Sequence, residues 1–393
     1  MWCEKMKKSV TKLIANILSV VLLVVLCLNF SPFLGERING ISSLLASASS
    51  PDSILTDKKS NISADNLKPK TDNTTTASDD ARQAMHAIIP KDSDGDSKIT
   101  ETPADIKKLM SAEKKKISKS KAIGKTSEQA YGGGGTILTC GNIQVQSKIP
   151  TSFYKPELSS LLKEGTDLEI SDKSEPTILV YHSHTTEAYS LLDVGYYTKA
   201  DSRSDKSSQN MVRVGDDLVA YLEKAGFNVI HDRKIHDVDY NKSYDSSREV
   251  VEYYLEKYPT IEVTIDVHRD DITFKNKTKI KPTTKVNGKK AARMMIISGC
   301  EYGKVKYFPD WKENLKFDLQ VQKYMCDTYP DLMRPILFGE RKYNMYETHY
   351  SFLLEIGTDA NTLDEACYSA RLFGKGLGDM LNKNYVKNNR ITK

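Results

Sequence analysis

Residues 177–187 read TILVYHSHTTE, and the fold turns on how that stretch is read. The run 177–182 is nearly all apolar, β-branched or aromatic, and it leads directly into ionisable residues. So short a run, without polar alternation, predicts a strand buried on both faces. Downstream, Met211, Val214, Gly215, Leu218 and Leu222 recur at helical spacing, and Gly226 stops that helix. Residues 227–230 form a second short strand. Asp245 caps a further helix whose inner face carries Val250, Val251, Tyr254 and Leu255, and Pro259 ends it. Residues 261–267, 293–298 and 352–356 read as strands, and 312–328 and 362–381 as helices. Upstream, 136–146 alternates like an edge strand and 156–163 suits a short helix. Strands alternating with helices predict an α/β fold, a mainly parallel twisted sheet with helices on both faces.

The chain before this region differs in kind. Residues 13–30, LIANILSVVLLVVLCLNF, carry no charge and are just long enough to span a bilayer. Lys5, Lys7, Lys8 and Lys12 precede them, which places the N-terminus inside and the rest outside. Ala46–Ser47–Ala48 resembles a signal-cleavage sequence but lies well beyond the apolar run, so a retained anchor is expected. Residues 47–127 are rich in Ser, Thr, Asp, Asn and Lys, too polar to offset their ordering entropy, and read as a tether. The DSDGD of 92–96 lacks the glutamate of a calcium loop. Gly132 to Gly135 makes a flexible joint. The expected organisation is a cytoplasmic 1–12, a transmembrane 13–34, a flexible polar tether 35–131, a catalytic domain 132–385 and a tail 386–393.

A net charge of +5 over 393 residues suits work beside an anionic membrane or wall. With no recognition motif or long basic run, nucleic acid is excluded as a partner. The six cysteines form no CxxC pair, which argues against a cysteine metal site or redox dithiol, and a disulfide among the four beyond the anchor stays open.

In open α/β sheets, sites form beyond the carboxyl ends of strands. Three predicted strands end in ionisable groups: His182-Ser183-His184-Thr185-Thr186-Glu187, Asp266-Val267-His268-Arg269-Asp270, and Glu355-Ile356-Gly357. Buried charges of this kind need a partner or a metal. Zinc with three His or carboxylate ligands is the economical reading, and His184, Glu187 and His268 are its candidate ligands. In an extended strand His182 and His184 point the same way, so His182 competes as first ligand. Otherwise it lines the pocket or supports a ligand. His349 is a candidate for the pocket rim, whereas His231 and His236 read as a solvated loop and His86 as tether. Tyr181, Tyr189, Tyr343 and Tyr346 either line a groove for a polar polymer or pack in the core.

The stretches ILVYHSHTTEAY (178–189), NMVRVGDDLVAYLEKAGFNVIHDRKIHDVDYNKSYDSSREVVEYYLEKYP (210–259), IDVHRD (265–270), ARMMIISG (292–299) and LLEIGTDANTLDEA (353–366) together resemble the stage II sporulation protein P family. The resemblance spans about 136–381. It implies the fold of zinc-dependent N-acetylmuramoyl-L-alanine amidases, which cut the amide joining glycan to stem peptide, and endopeptidase action on peptide crosslinks. It implies a septal membrane between mother cell and forespore, and action with stage II sporulation proteins D and M during engulfment. Carried over, His184, Glu187 and His268 resemble the metal ligands and Glu355 the catalytic glutamate. The family's Tyr-Asn-Gln-type segment is replaced here by Tyr343-Asn344-Met345.

On that reading zinc acidifies a water and polarises the scissile carbonyl, and Glu355 moves the proton to the leaving amine. Arg269 stabilises developing charge or holds a substrate carboxylate, unless it is spent on a salt bridge to Asp270. Two alternatives stand beside what the resemblance implies: a cell-wall zinc carboxypeptidase or endopeptidase, and a non-catalytic peptidoglycan-binding module of the engulfment complex.

Overall fold

The computed structural model describes residues 98–130 and 135–387. The predicted cytoplasmic segment, the membrane span 13–34 and the DSDGD stretch lie outside the described residues. No helix among the described residues is long and apolar enough to cross a membrane.

The frame is a mixed sheet in the order β2 (Thr136–Cys140), β3 (Ile143–Ser147), β12 (Ile336–Gly339), β11 (Met294–Gly299), β13 (Tyr350–Thr358), β7 (Val263–Asp270), β4 (Pro176–Tyr181) and β6 (Asn228–His231). Strands β13, β7, β4 and β6 are mutually parallel. So are β3, β12 and β11, but β11 meets β13 antiparallel. The sheet is thus two parallel blocks of opposite direction. Edge strand β2 is antiparallel to β3, and β4, β6, β7 and β13 send their carboxyl ends to where the ionisable residues gather, whereas β11, also read as a strand from sequence, sends its carboxyl end the other way. The edge strand expected over 136–146 is a hairpin of β2 and β3.

Helices cover both faces unequally. On one face α3 (Met211–Lys224), α5 (Trp311–Thr328) and α6 (Leu363–Asn384) meet Val263, Ile265 and Val267 of β7 in the main core. On the other, α4 (Ser243–Lys257) packs Val251 on Leu179 and Tyr181. Period-two alternation therefore sends Thr264, Asp266 and His268 to the α4 face. Asp245 lies in the first turn of α4 rather than at its cap.

The tether is corrected over its described part. Residues 104–114 form helix α1 (Ala104–Lys114), with Ile106 fully buried. Strand β1 (Gly124–Glu128) lies between β5 (Tyr196–Tyr197) and β8 (Thr278–Lys281). The short helix expected near 156–163 is α2 (Leu158–Glu164), and β9 (Thr283–Val286) pairs with β10 (Lys289–Ala292). Composition hid α1 and β1 because their ordering comes from partners far along the chain. Ile99 and Glu101 present their carbonyls to Arg371, and Asp105 pairs with Arg213. Lys residues likewise disguised β8, whose Lys281 is buried and ion-paired to Asp193 and Glu365.

Helix α6 opens with a full capping box. Thr362 Oγ1 accepts from Glu365 N at 3.2 Å, and Thr362 N donates to Glu365 Oε2 at 3.0 Å. Thr362→Ala is expected to cost about 1 kcal/mol and lower the melting midpoint by about 2–4 °C. A calorimetric scan indistinguishable from wild type would contradict this.

Candidate active site

Strand β4 ends at Tyr181, and the chain leaves the sheet there in a turn built by its own threonines. Thr185 Oγ1 donates to His182 O (2.8 Å) and lies 2.9 Å from Lys234 O. Thr186 donates from Oγ1 (2.6 Å) and N to the buried Asp237 carboxylate, which Arg203 also grips at 2.8 Å. Glu187 N closes the turn on His184 O at 3.1 Å. One turn therefore carries both His184 and Glu187 toward the end of β7.

There the candidate residues meet. His268 Nδ1 lies 3.5 Å from Glu187 Oε2, and its Nε2 lies 2.8 Å from Asp266 Oδ1. The His184 and His268 rings stand edge to face, with centroids 5.3 Å apart. Glu355 is the register partner of His268 across β13 and β7, so both side chains rise from the same face. Gly357 (φ +67°) follows, where the register breaks, and a Cβ there would lie 2.5 Å from Asn361 Oδ1. A glycine is needed where the strand slips register, two residues after Glu355.

Burial and neighbours shape each group. Burial favours a neutral Glu187, but Arg269, His268 and His184 outweigh it and hold the carboxyl below its ordinary range. Burial also opposes a charged His268, yet Asp266 and Glu187 raise it well above an ordinary imidazole. His184 is pushed down to about 4 by burial, against the pull of Glu187. Burial pushes Glu355 up to about 8. Asp270 and Glu187 add to this, and His268 opposes it. Its Oε2 is buried without a hydrogen-bond partner.

Three rings roof these groups. Tyr240 stacks on His184 (4.4 Å, 5°), Tyr244 lies parallel to His268 (6.3 Å, 8°), and Tyr343 stacks on Tyr244 (4.7 Å, 20°). Tyr343 holds a left-handed φ of +43°, uncommon for an aromatic residue. Asn344 ties its loop to α4 by donating to Ser247 Oγ at 2.9 Å.

Other expectations change. His182 is turned away from the trio: Nδ1 meets Val267 O at 3.0 Å and Nε2 meets His231 Nε2 at 2.9 Å. Alternation failed because β4 stops at Tyr181, so His182 and His184 do not share an extended segment. His349 is exposed, pairs with Asp310, and precedes the amino end of β13. It lies more than about 17 Å along the strand from Glu355 and does not reach the site. Arg269 is fully engaged: Nε donates to Ala188 O (3.2 Å), Nη2 donates to Asp201 Oδ1 (3.2 Å) and Ser202 O (3.1 Å), and Nη1 is 3.9 Å from Glu187. It braces the Glu187 turn, and Asp270 pairs with Arg334 (2.9 Å), not with Arg269. His231 and His236 are buried, not solvated, and His236 pairs with Asp232. Of the tyrosines, Tyr343 is at the site, whereas Tyr181 and Tyr189 are core and Tyr346 lies under Lys342. Cys140, Cys300, Cys326 and Cys367 are free.

Sequence reading missed Asp266, Tyr240 and Tyr244. Asp266 was legible, since a strand puts residues two apart on one face. The tyrosines stand four apart at the entry to α4, but only packing showed which way they turn.

Among the described residues, no group of three or more His, Cys, Asp or Glu side chains is arranged as it stands to hold a metal ion. The donor chemistry nonetheless suits one. His184 Nδ1 is buried with no hydrogen-bond partner. Glu187 already faces His268, and the Asp266 carboxylate lies 2.8 Å from the far nitrogen of that ring, the place a carboxylate takes beside a metal-bound histidine.

Fold and site define an α/β domain with a His/Glu/His donor set and a neighbouring carboxyl group at the carboxyl ends of parallel strands. The chain belongs to the family described as stage II sporulation protein P (SpoIIP), whose sequence profile matches residues 49–378. Stage II sporulation protein P of Bacillus subtilis (strain 168) is 28% identical over 257 residues, 59% of this chain and 60% of that protein, so the match spans less than two thirds of the relative. Among solved structures, the N-acetylmuramoyl-L-alanine amidase AmiC2 of Nostoc punctiforme is similar at 11% identity and a TM-score of 0.30, covering 54% of this chain and 97% of that one. The CwlD amidase from Clostridioides difficile, in complex with the GerS lipoprotein, is similar at 11% and 0.31, covering 53% and 100%. TM-scores of that size carry no argument about activity.

Proposed function

We propose that this chain is a zinc-dependent N-acetylmuramoyl-L-alanine amidase, with endopeptidase action on peptide crosslinks, that works on peptidoglycan during engulfment of the forespore. The observation that carries the reading is the meeting of Glu355 and His268 in register, beside the His184–Glu187 turn. Family membership supports it. His184, Glu187 and His268 would hold the ion. What zinc supplies when bound is Lewis-acid polarisation of a carbonyl and a water acidified toward neutrality.

The chain's own residues do the rest. Asp266 fixes the orientation of His268. Arg269, Asp237 and Arg203 hold the Glu187 turn. Beside a cation Glu355 shifts toward its carboxylate form, accepts a proton from water and returns it to the leaving nitrogen. Tyr240, Tyr244 and Tyr343 keep bulk water off these groups, and a polymeric substrate must part them to reach Glu355. Residues 13–34 anchor the protein in the septal membrane with its N-terminus inside, and stage II sporulation proteins D and M are its partners there.

The test is mass spectrometry of purified sacculi digested with the zinc-loaded protein. Released intact stem peptides, with bare muramoyl groups left on the glycan, are expected. Shortened or uncrosslinked peptides alone would replace the amidase with a carboxypeptidase or endopeptidase. Binding to sacculi without any product would leave a non-catalytic module.

A further inference from the structure

We infer that His182 and His231 form a buried positioning pair that sets the separation of His184 and His268 for metal binding. This rests on the zinc reading above. Strand β4 pairs with β7 as far as Tyr181 and Asp266, and with β6 as far as Val180 and His231. The ladder with β7 stops one residue before His182, and the ladder with β6 two residues before it. The His182 ring then continues both. Its Nδ1 meets Val267 O on the β7 side at 3.0 Å, and its Nε2 meets His231 Nε2 on the β6 side at 2.9 Å. A carbonyl only accepts, so Nδ1 carries the proton and Nε2 accepts from His231 Nε2–H. The bonded carbonyl belongs to the residue before His268, and the ring to the residue two before His184. One imidazole therefore staples the two histidine-bearing strand ends together at the point where backbone pairing gives out.

A second observation shows that the fold makes room for the pair. Gly215 sits inside α3, where glycine weakens a helix. A Cβ at that position would lie 2.5 Å from His231 Nε2 and 2.7 Å from His182 Nε2. The glycine lets the helix backbone close directly over the two rings. On the far side, His231 Nδ1 lies 3.2 Å from Asp216 Oδ1, a contact that becomes an ion pair only when the ring carries both protons, and Arg233 grips the same carboxylate. His182 is fully buried and makes none of its contacts with the donor trio, so it acts through geometry alone.

The test is zinc affinity, measured by competition with a chromophoric chelator, together with the melting midpoint of the metal-free protein. His231→Leu and Gly215→Ala should weaken zinc binding by about 10- to 100-fold, the range for groups that orient ligands. His231→Gln, whose amide can donate to His182 in place of the imidazole, should restore most of it. A merely structural pair would lower the midpoint of all three and leave the affinity of the folded protein unchanged, which would overturn the inference. Wild-type protein that takes up no zinc would sink the zinc reading itself, and the inference with it. Should His231→Leu fail to fold, ring nitrogen spectra of the wild type decide. His182 protonated on Nδ1 and bare on Nε2 supports the staple, and the opposite tautomer overturns it.

Discussion

Glu355→Gln should reduce release of stem peptides from peptidoglycan by about 10²–10⁴-fold, the range spanned by general acid–base groups. Zinc affinity should stay within a few-fold of wild type, because Glu355 stands beside the proposed ligands and is not one of them. Gln fills the same volume on β13, so the strand should keep its register with β7. The stability consequence has a definite sign. Burial raises the folded-state pKa of Glu355 above its unfolded value, to about 8 in the metal-free protein. An acid shifted upward penalises folding once the pH exceeds the unfolded pKa, and the penalty grows until the folded pKa is passed. The metal-free variant should therefore melt no lower than wild type at pH 8, and any advantage should vanish as the pH falls into the ordinary carboxylate range. A variant that turns over normally would remove Glu355 from the chemistry. One that loses activity together with metal would recast it as a ligand.

A chain beginning at the Gly132–Gly135 joint, where composition places the domain boundary, should fail to fold cooperatively. Residues 98–130 contribute Ile99 and Ile106 to the main core, and burial of each isoleucine is worth about 1.5–3 kcal/mol. Their removal strips Arg371 of two carbonyl acceptors and leaves Arg213 without Asp105. It also takes from the Lys281–Lys290 cluster the Glu128 carboxylate, leaving Asp193 and Glu365 as the partners there, and each lost hydrogen bond to a charged group costs about 1.5–3 kcal/mol. Strands β5 and β8 would lose the strand between them, and β8 follows the His268 motif while β5 follows the Glu187 turn. Losses on this scale approach the about 5–15 kcal/mol that keeps a domain folded. A chain starting near residue 98, which keeps α1 and β1, should melt in one sharp transition. A sharp thermal transition from the shorter chain, within a few degrees of the longer one, would show that residues 98–130 are a tether after all.

The two variants probe regions that differ in how legible they were. Strands β4, β7 and β13 could be read because apolar runs bounded by ionisable residues have few other structural solutions, and Glu355 and His268 emerged from those strand ends. Helix α1, β1 and β8 could not be read, since their polar and charged residues are satisfied by Arg371, Arg213, Asp193 and Glu365, all distant in sequence. The direction of β11 was equally hidden, as an apolar strand reads the same in either orientation.

By itself, then, the sequence determined an α/β sheet, the strand ends that bear chemistry, and membership of a family, because local periodicity and motif spacing are properties of contiguous residues. Tertiary structure alone decided which histidine joins the site. His184 meets His268 because Thr185 and Thr186 bend the chain by bonding near Lys234 and Asp237. His182, two residues earlier, is drawn off by Val267 and His231. Those partners come from other strands and loops, and a hydrogen bond between segments far apart along the chain leaves no periodic trace in either of them.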